Sequence, residues 1–457
     1  MAGLLFVLLG LGGLALAAWG LRHDVGWLSE PFYAYAWWSY ILLLDGFCVL
    51  SRGHSLLKNR RRLLLPIACW SVTFWFFFEF LNLRFHNWYY VEVPPLRNSF
   101  ELAGGGLFAF LCFATVFTGL FETYEALTAL GAFRSWRSRA GSLPAWVSYA
   151  VQTIGMVMAS LAVLFPYYLA PLIWGSFTFL IDPWIYRRGG RSILRDLEVG
   201  EWGHLARLFF SGLLCGLIWE SLNFFAPQKW IYTVRGLEEL KLFEMPLLGF
   251  IGFPALAFDA FAGFSLASYL FHGNVTWEHA GDLRQVLVPR KRQPRAVLVA
   301  TGLLQVMLWY SVSVTMGSNI GSLRVELGDL RLSSREVAAL ETQGIGRPRQ
   351  LLRAAETPDE RSKLAARLEW SEDRLDEVLH RAELMTFKGI GSEFATLLDT
   401  VGIRRVEDLR RWDPADLHAR LEAEARRLWL GPPRLDMVRV WVLASRDRSI
   451  LMLGSRA

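Results

Sequence analysis

The chain has 457 residues, of which 53% are hydrophobic and 14% aromatic, and its formal net charge at pH 7 is +6. These apolar fractions exclude a wholly water-soluble fold of ordinary composition. The four cysteines lie inside apolar runs with no metal-ligand spacing, and no Walker loop or dinucleotide fingerprint occurs, so we expect neither a metal nor a cofactor.

Apolar runs long enough to cross a bilayer recur up to about residue 315. The first run could be a signal peptide, but it lacks a basic start, which favours a retained anchor. The fifth and sixth runs meet at Pro166 and predict a tight helical hairpin. The runs predict nine transmembrane helices at residues 2–20, 34–50, 63–83, 102–121, 145–165, 167–182, 206–224, 245–271 and 296–315.

Lys and Arg are divided unequally between alternate loops. One set of loops, at 52–62, 134–139, 187–195 and 284–295, carries 17 of them, whereas the other set carries 6. Because basic loops remain in the cytoplasm, the first set is expected inside. The sequence therefore predicts a multi-pass protein of the inner (plasma) membrane with its N-terminus inside and its C-terminal domain extracytoplasmic.

One polar pattern occurs twice in the membrane region, at an offset that drifts from 137 to 143 residues. Each copy holds four predicted spans, so both enter the membrane in the same sense, which is typical of a parallel repeat. The clearest gapless match pairs Trp37, Ser39, Tyr40, Asp45, Gly53, Ser55 and Leu57 with Trp174, Ser176, Phe177, Asp182, Gly190, Ser192 and Leu194. The predicted domains are repeat one at 1–130, repeat two at 131–272, a basic loop with the ninth span at 273–321, and a soluble domain at 322–457.

Acidic residues occur inside these spans, where a carboxylate costs at least ~2.5 kcal/mol and normally faces the bundle interior. Asp45 and Asp182, near Arg-rich loops, are interpreted as simple ion pairs. The remaining polar residues predict a cluster near the outer leaflet, built twice. The cluster serves either as hydrogen-bonded helix contacts or as a pocket for a lipid or small molecule. Its candidate ligand-binding residues are Glu79, Asn82, Trp88, Glu101, Glu220, Asn223, Trp230, Tyr232 and Glu244.

The order Glu-x-x-Asn, Trp-x-Tyr and a helix that opens with an acid after Phe resembles the membrane-embedded lycopene cyclase domain of carotenoid synthesis. That family also uses tandem small helical bundles with intramembrane acids. The resemblance implies that Glu79, Glu101, Glu220 and Glu244 protonate a polyene. It covers about a third of the chain.

Beyond residue 321 the pattern changes to short amphipathic helices. The stretch from Phe387 to Ala395 fits the helix-hairpin-helix template, in which Gly389 and Gly391 permit the tight turn and could contact a phosphate or a partner. Most of residues 325–447 closely resemble an uncharacterised bacterial family of tandem helix-hairpin-helix domains. The fold class predicted for the whole chain is therefore all-α: a polytopic bundle of two parallel four-helix repeats plus a ninth span, followed by this soluble domain.

The net charge of the soluble domain distinguishes between nucleic acid and protein as its possible partners. Residues 316–457 contain 24 Lys or Arg and 23 Asp or Glu. Because duplex binding rests mainly on basic residues that neutralise phosphates, we expect no tight binding to nucleic acid. A protein partner or self-association through residues 322–457 is favoured instead.

Three functions remain open from the sequence. We favour a membrane scaffold or binding protein with a C-terminal interaction domain, because it requires no further motif. A transporter or channel built on the parallel repeat would need a discontinuous helix, with Gly104-Gly105-Gly106 and Gly252 with Pro254 as candidates. An intramembrane enzyme would act on an isoprenoid or lipid through the buried carboxylates.

Overall fold

A computed structural model describes residues 1–95, 99–234 and 241–446 of the chain. The chain forms two compact units. Unit 1 comprises Met1–Phe85, Asn98–Ala226 and Arg235–Gly317. Unit 2 comprises His86–Arg97, Pro227–Val234 and Ser318–Ala457, so it combines two loops of the membrane region with the C-terminal domain. The loop residues 96–98 and 235–240 and the end of the chain, 447–457, lie outside the described residues.

Unit 1 is helical apart from one short antiparallel strand pair, and within the described residues eight of its helical segments are long and apolar enough to cross a membrane. This confirms the membrane class. The helices are α1 (Ala2–Arg22), α2 (Gly26–Ser29), α3 (Phe32–Arg52), α4 (Leu56–Asn59), α5 (Leu64–Phe85), α6 (Ser99–Phe113), α7 (Thr115–Ala129), α8 (Ala145–Leu164), α9 (Pro166–Leu169), α10 (Ser176–Tyr186), α11 (Ile193–Glu198), α12 (Trp202–Phe225), α13 (Gly252–Ala267) and α14 (Arg295–Thr315).

The sixth predicted span, 167–182, differs in form from the prediction of one continuous helix. It consists of α9, a 3-10 turn at Ala170–Ile173 and then α10. Pro166 and Pro171 cannot donate helical hydrogen bonds, and Gly175 adopts φ +86°, so the α-helical ladder is interrupted there. Beyond α10, Arg187 donates to Ser148 near the start of α8, so the chain has returned to the end of the hairpin at which α8 begins.

The two glycine sites expected to break helices differ in outcome. Residues 104–106 lie within α6, and the interruption comes later, at Ala114 between α6 and α7. Gly252 is the first residue of α13 and follows a 3-10 turn at Leu247–Ile251.

Close helix pairs in unit 1 meet at glycines. A Cβ on Gly10 of α1 would lie 2.7 Å from the backbone nitrogen of Leu43 in α3. A Cβ on Gly155 of α8 would lie 2.7 Å from the backbone nitrogen of Leu180 in α10. Small residues at such positions let two helix backbones approach, which is a main source of helix association in lipid.

Unit 2 contains the helices of the C-terminal domain and an antiparallel strand pair. In that pair Trp88 lies opposite Tyr232, and Tyr90 lies opposite Trp230. The two Trp-x-Tyr segments are therefore strands that pair with each other. The elements are β1 (Trp88–Val91), β2 (Lys229–Tyr232), α15 (Ser334–Thr342), α16 (Pro348–Ala354), α17 (Pro358–Leu368), α18 (Glu372–Thr386), α19 (Gly391–Thr400), α20 (Pro414–Leu428) and α21 (Leu435–Arg446).

The strand pair belongs to the hydrophobic core of unit 2. Tyr89, Val91 and Ile231 are at most 3% exposed and pack in one cluster with the buried leucines and Trp441 of the C-terminal helices. Residues 320–324 run beside β1, where the backbone nitrogen of Gly321 donates to the Tyr90 carbonyl at 2.7 Å. The C-terminal domain thus completes its core with residues from two loops of the membrane region.

Replacement of Gly10 by Leu is expected to destabilise unit 1 by about 1–3 kcal/mol, because the new side chain would overlap the α3 backbone. Gly12→Leu is the matched control, since a Cβ on Gly12 of the same helix meets no atom within 4 Å. Thermal unfolding of both variants in detergent micelles measures the difference. Equal melting temperatures for the two variants would contradict close packing of α1 on α3.

Candidate functional site

The first predicted pair of site residues, Glu79 and Asn82, lies one turn apart on α5, and both side chains are completely buried. The indole nitrogen of Trp75, one turn earlier, donates to Glu79 Oε1 at 3.0 Å. The preference of an intramembrane acid for the bundle interior accounts for this placement. The helix positions the acid, the amide and the indole toward the inside of unit 1.

The second pair, Glu220 and Asn223, is likewise completely buried on α12. The neighbouring Trp219 ring lies 5.2 Å from that of Trp75, measured between ring centroids. Trp219 also contacts the ring of Tyr33 on α3 at 6.4 Å. The two Glu–Asn pairs therefore lie beside one shared aromatic cluster, which the sequence pattern did not predict.

The other two predicted acids take different positions. Glu244 is 1% exposed and directly precedes the short strand Met245–Pro246, which pairs with Lys241–Leu242. Glu101 lies in the first turn of α6 and is half-buried. Trp88, Trp230 and Tyr232 of the same predicted set lie on β1 and β2 in unit 2.

Asp45 and Asp182 do not act mainly as ion pairs with the Arg-rich loops. Asp45 accepts hydrogen bonds from Ser55 Oγ at 2.7 Å and from the backbone nitrogen of Leu57 at 2.8 Å. Asp182 accepts from Ser192 Oγ at 3.0 Å and from the backbone nitrogen of Leu194, also at 3.0 Å. Each carboxylate thus holds the start of a short helix, α4 or α11, because backbone N–H groups at a helix start have no helical partner.

The serines beside these acids are matched in the same way. Ser55 is the N-cap of α4 and accepts from the backbone nitrogen of Lys58 at 3.1 Å. Ser192 is the N-cap of α11 and accepts from the backbone nitrogen of Arg195 at 3.4 Å. The Asp, Ser and Leu residues paired by sequence therefore make equivalent contacts.

A buried ionic network next to α11 was not predicted. Arg191, 3% exposed, donates to both oxygens of Glu278 at 2.6 and 2.8 Å and to Asp196 at 2.7 Å. Gln285 donates to the other oxygen of Asp196 at 2.7 Å, and His204 also contacts the guanidinium. In the sequence, Arg191 is distinguished only as one of the basic loop residues. The acids Asp196 and Glu278 in the neighbouring loops are the signal that it could form a buried ion pair.

Two carboxylates of this network have opposite pKa shifts. Burial raises the pKa of Asp196 to about 7, despite the opposing effect of Arg191. Burial would also raise the pKa of Glu278, but the two-pronged contact with the Arg191 guanidinium lowers it to about 2. Arg191 and Glu278 therefore form the firmly charged pair of the network at neutral pH.

A second ionic cluster joins the first basic loop to the segment after α13. Arg52 and Arg60 contact Glu125 at 3.5 and 3.2 Å, and Arg52 also pairs with Asp282. Arg60 donates in addition to the backbone carbonyl of Trp277. Together the two clusters fasten the 273–294 segment to the basic loops at 52–62 and 187–195.

Asp259 is a further buried acid that sequence reasoning missed. It is 0% exposed on α13 and accepts from the backbone nitrogens of Gly175 and Thr178, both at 2.7 Å. It therefore holds the start of α10 at the interruption of the sixth span. Within the described residues, no group of three or more His, Cys, Asp or Glu is placed to hold a metal ion.

The predicted hairpin of the C-terminal domain is buried inside unit 2. Gly389 and Gly391 adopt φ +76° and +66°, as the turn requires. A Cβ on Gly389 would collide with Val91 of β1, and one on Gly391 would lie 2.9 Å from Ser322 Cβ. Tyr89 Oη donates to the carbonyl of Lys388, which directly precedes Gly389 in the turn, at 2.8 Å. The candidate phosphate or partner contacts are thus covered by other residues of the same chain.

In the comparisons with known proteins, only this C-terminal region has a match. Residues 330–448 match a family described as a domain of unknown function (DUF4332), in agreement with the resemblance to an uncharacterised family. No curated protein and no solved structure matches the chain. The comparisons do not show a similarity of the membrane region to the lycopene cyclase domain.

Glu278→Gln is expected to cost about 3–5 kcal/mol of stability at pH 7, because it leaves Arg191 buried with a weaker partner. Relative to its ordinary pKa of 4.5, Glu278 is depressed, so its contribution is fully present above pH 4.5 and is lost as the pH falls toward 2. The difference between wild type and variant should therefore stay constant from pH 7 to 4.5 and shrink below. Denaturant titration in micelles measures it.

Asp359→Asn is the matched control for this variant. It breaks the exposed Asp359–Lys363 pair, whose side chains are 73% and 68% exposed, and should cost less than about 1 kcal/mol. If Glu278→Gln were as mild as this control, the buried network would contribute nothing to the fold.

Proposed function

We propose that the chain is a membrane scaffold or binding protein whose C-terminal domain offers an interaction surface and does not bind nucleic acid. The observation that carries this proposal is the covered hairpin. The turn at Gly389 and Gly391, which in a nucleic-acid reader would face a phosphate, packs instead on Val91 and Ser322. The turn that is best suited to bind a phosphate is therefore covered by other residues of the same chain.

The arginines of the domain give a second line of support. Arg331 and Arg381 both donate to Asp399, at 2.6 and 2.9 Å. Arg374 pairs with Glu336 at 2.9 Å. Guanidinium groups already paired with carboxylates release few counterions from a duplex, which weakens binding.

The composition of unit 2 also bears on the orientation of the domain. Because residues 86–95, 227–234 and 318–446 share one compact unit, the two loops and the domain belong on the same side of the bilayer. These loops are in the set poor in Lys and Arg, which the positive-inside rule assigns to the outside. We therefore propose an extracytoplasmic C-terminal domain.

We further propose that the membrane region arose by duplication. The equivalent contacts of Asp45 and Asp182 support this, as do the two Trp-x-Tyr strands that pair with each other. A parallel repeat would place such matched elements about an axis along the membrane normal. The helical turns at Gly344, Gly389 and Gly402, all with positive φ, support helix-hairpin-helix units in the C-terminal domain.

A mobility-shift titration of the purified full chain with random duplex DNA at physiological salt tests the proposal. We expect no complex below micromolar protein, because the domain is nearly neutral. The variant Asp399→Asn, which removes the carboxylate partner of Arg331 and Arg381, should gain little affinity, since only Arg331 of the two is well exposed and one charge adds few phosphate contacts. Sub-micromolar binding by the wild type would overturn the proposal.

A second candidate is a site for an isoprenoid or another apolar lipid, including an enzyme that protonates it. The buried Glu79 and Glu220 beside the Trp75–Trp219 cluster favour this candidate, since aromatic rings would contact a hydrocarbon chain and the acids could donate protons. The resemblance to the lycopene cyclase domain points to the same chemistry.

Mass spectrometry of lipids extracted from the purified protein tests this second candidate. We expect one apolar lipid enriched over the bulk membrane extract and depleted in Glu220→Gln, because the amide cannot supply the carboxyl contact. Glu356→Gln, an exposed change in the C-terminal domain, is the control and should leave the enrichment unchanged. No enrichment in the wild type would remove this candidate.

The transporter alternative rests on the interrupted sixth span. A helix start inside the membrane region, held there by Asp259, is the type of element from which transporters build substrate sites. This interruption lies at residues 170–175, a position that the sequence did not suggest.

A further inference from the structure

Trp429, the residue that ends α20, combines two unusual properties. Its backbone is left-handed, with φ +58°, a conformation that bulky residues rarely adopt. Its side chain is 95% exposed, although tryptophan is normally mostly buried. Within the part of the domain that the structure describes, no packing therefore accounts for an indole at this position.

The equivalent position in another helix of the same domain shows that the turn itself does not require tryptophan. Glu369 ends α17 with φ +56° and is exposed. The residue after each of them donates the same type of backbone hydrogen bond. Trp370 N donates to Ala365 O and Leu430 N donates to Ala425 O, both at 3.0 Å. A glycine or a polar residue satisfies this helix end, so the indole serves a contact outside the domain.

The loop that carries Trp429 contacts the first residues of the C-terminal part of unit 2, which follow the last membrane-length helix in the chain. The segment Arg295–Asn319 is long and apolar enough to span a membrane, and Ser318 lies at its end. Arg434 Nη1 donates to the backbone carbonyl of Ser318 at 2.8 Å. Because hydrocarbon ends near Ser318, the loop that contacts it lies at the level of the lipid headgroups.

The start of α21 is held to the same segment. Met437 Cε would lie 3.1 Å from a Cβ on Gly321, so the first turn of α21 packs on the residues that follow the span. The loop is therefore fixed to this segment at two points, Arg434 and Met437, on the C-terminal side of Trp429.

The surface around Trp429 has the composition of a membrane interface. Leu428 and Leu435 are 38% and 39% exposed on either side of the loop. Arg426 and Arg427 in the last turn of α20 are paired with Glu422 and Glu424, so the patch carries little net charge. Tryptophan with flanking leucine and arginine is enriched where a protein surface meets lipid headgroups.

We propose that residues 428–435 form an interfacial anchor, with Trp429 inserted among the lipid headgroups next to the exit of α14. The anchor fastens the C-terminal domain to the bilayer surface and is independent of which side of the membrane the domain occupies. Its contact is mainly apolar, so it does not require anionic lipid.

The test uses the full chain in phosphatidylcholine nanodiscs, with and without phosphatidylglycerol. A polarity-sensitive fluorophore is attached to a cysteine introduced as Trp429→Cys, Leu435→Cys or Glu369→Cys. The control Glu369 has the same backbone geometry and is exposed. Labelled wild type corrects for the four native cysteines, which the structure shows as free thiols. Quenching is measured with nitroxide carried by headgroup-level lipid and with aqueous iodide.

We expect the labels at 429 and 435 to lose most of their emission to nitroxide lipid in both nanodisc types, and the label at 369 to be quenched only by iodide. Leu435→Cys retains Trp429, so this result does not depend on removal of the indole. Iodide quenching alone at 429 would overturn the proposal. Lipid quenching at all three positions would also overturn it, because the contact would not be specific to this loop. A blue shift at 429 without lipid quenching would indicate a protein partner or a second copy, and would likewise contradict a lipid anchor.

Discussion

Desolvation of carboxylates is the constraint on which the arrangement of unit 1 depends. An acid inside a membrane bundle is tolerated only where donors replace the water it has lost. Asp45, Asp182 and Asp259 meet this need with backbone N–H groups at helix starts, which themselves need acceptors. Each acid therefore satisfies two needs at once and fixes where a neighbouring short helix or interrupted helix begins.

The same constraint organises the loops on the basic side of unit 1. Arg191 is buried between Glu278 and Asp196, and Arg60 contacts Glu125 and the Trp277 carbonyl. These basic residues belong to the loops rich in Lys and Arg, and inside the folded unit they act as hydrogen-bond donors to particular acids. One residue type thus has two physical roles, one during membrane insertion and one in the folded state.

The C-terminal domain illustrates how packing changes the use of a motif. Gly389 and Gly391 allow a tight turn, and the absence of a side chain also lets β1 and residue 322 approach that turn closely. The backbone turn, which could bind a phosphate through its N–H groups, is therefore part of the core of unit 2. In this chain the turn thus contributes to the packing of unit 2.

The sequence by itself determined the membrane class, the position of most spans, the matched polar residues and the boundary near residue 320. These depend on local quantities: the length of apolar runs, the 3.6-residue period and the cost of charge in hydrocarbon. Four polar residues lie within apolar helices: Glu79, Asn82, Glu220 and Asn223. The cost of polar groups in hydrocarbon predicts that they face inward, and all four are buried.

Only the tertiary structure decided which groups meet. The pairing of Trp88 with Tyr232, the Arg191–Glu278 contact, the capping of α10 by Asp259 and the meeting of Trp75 with Trp219 all join residues more than 80 positions apart. No local pattern encodes such contacts, because they depend on the angles at which helices cross and on loops that bring distant segments together. The sequence supplies the donors and acceptors, and the packing of the helices selects the partner of each one.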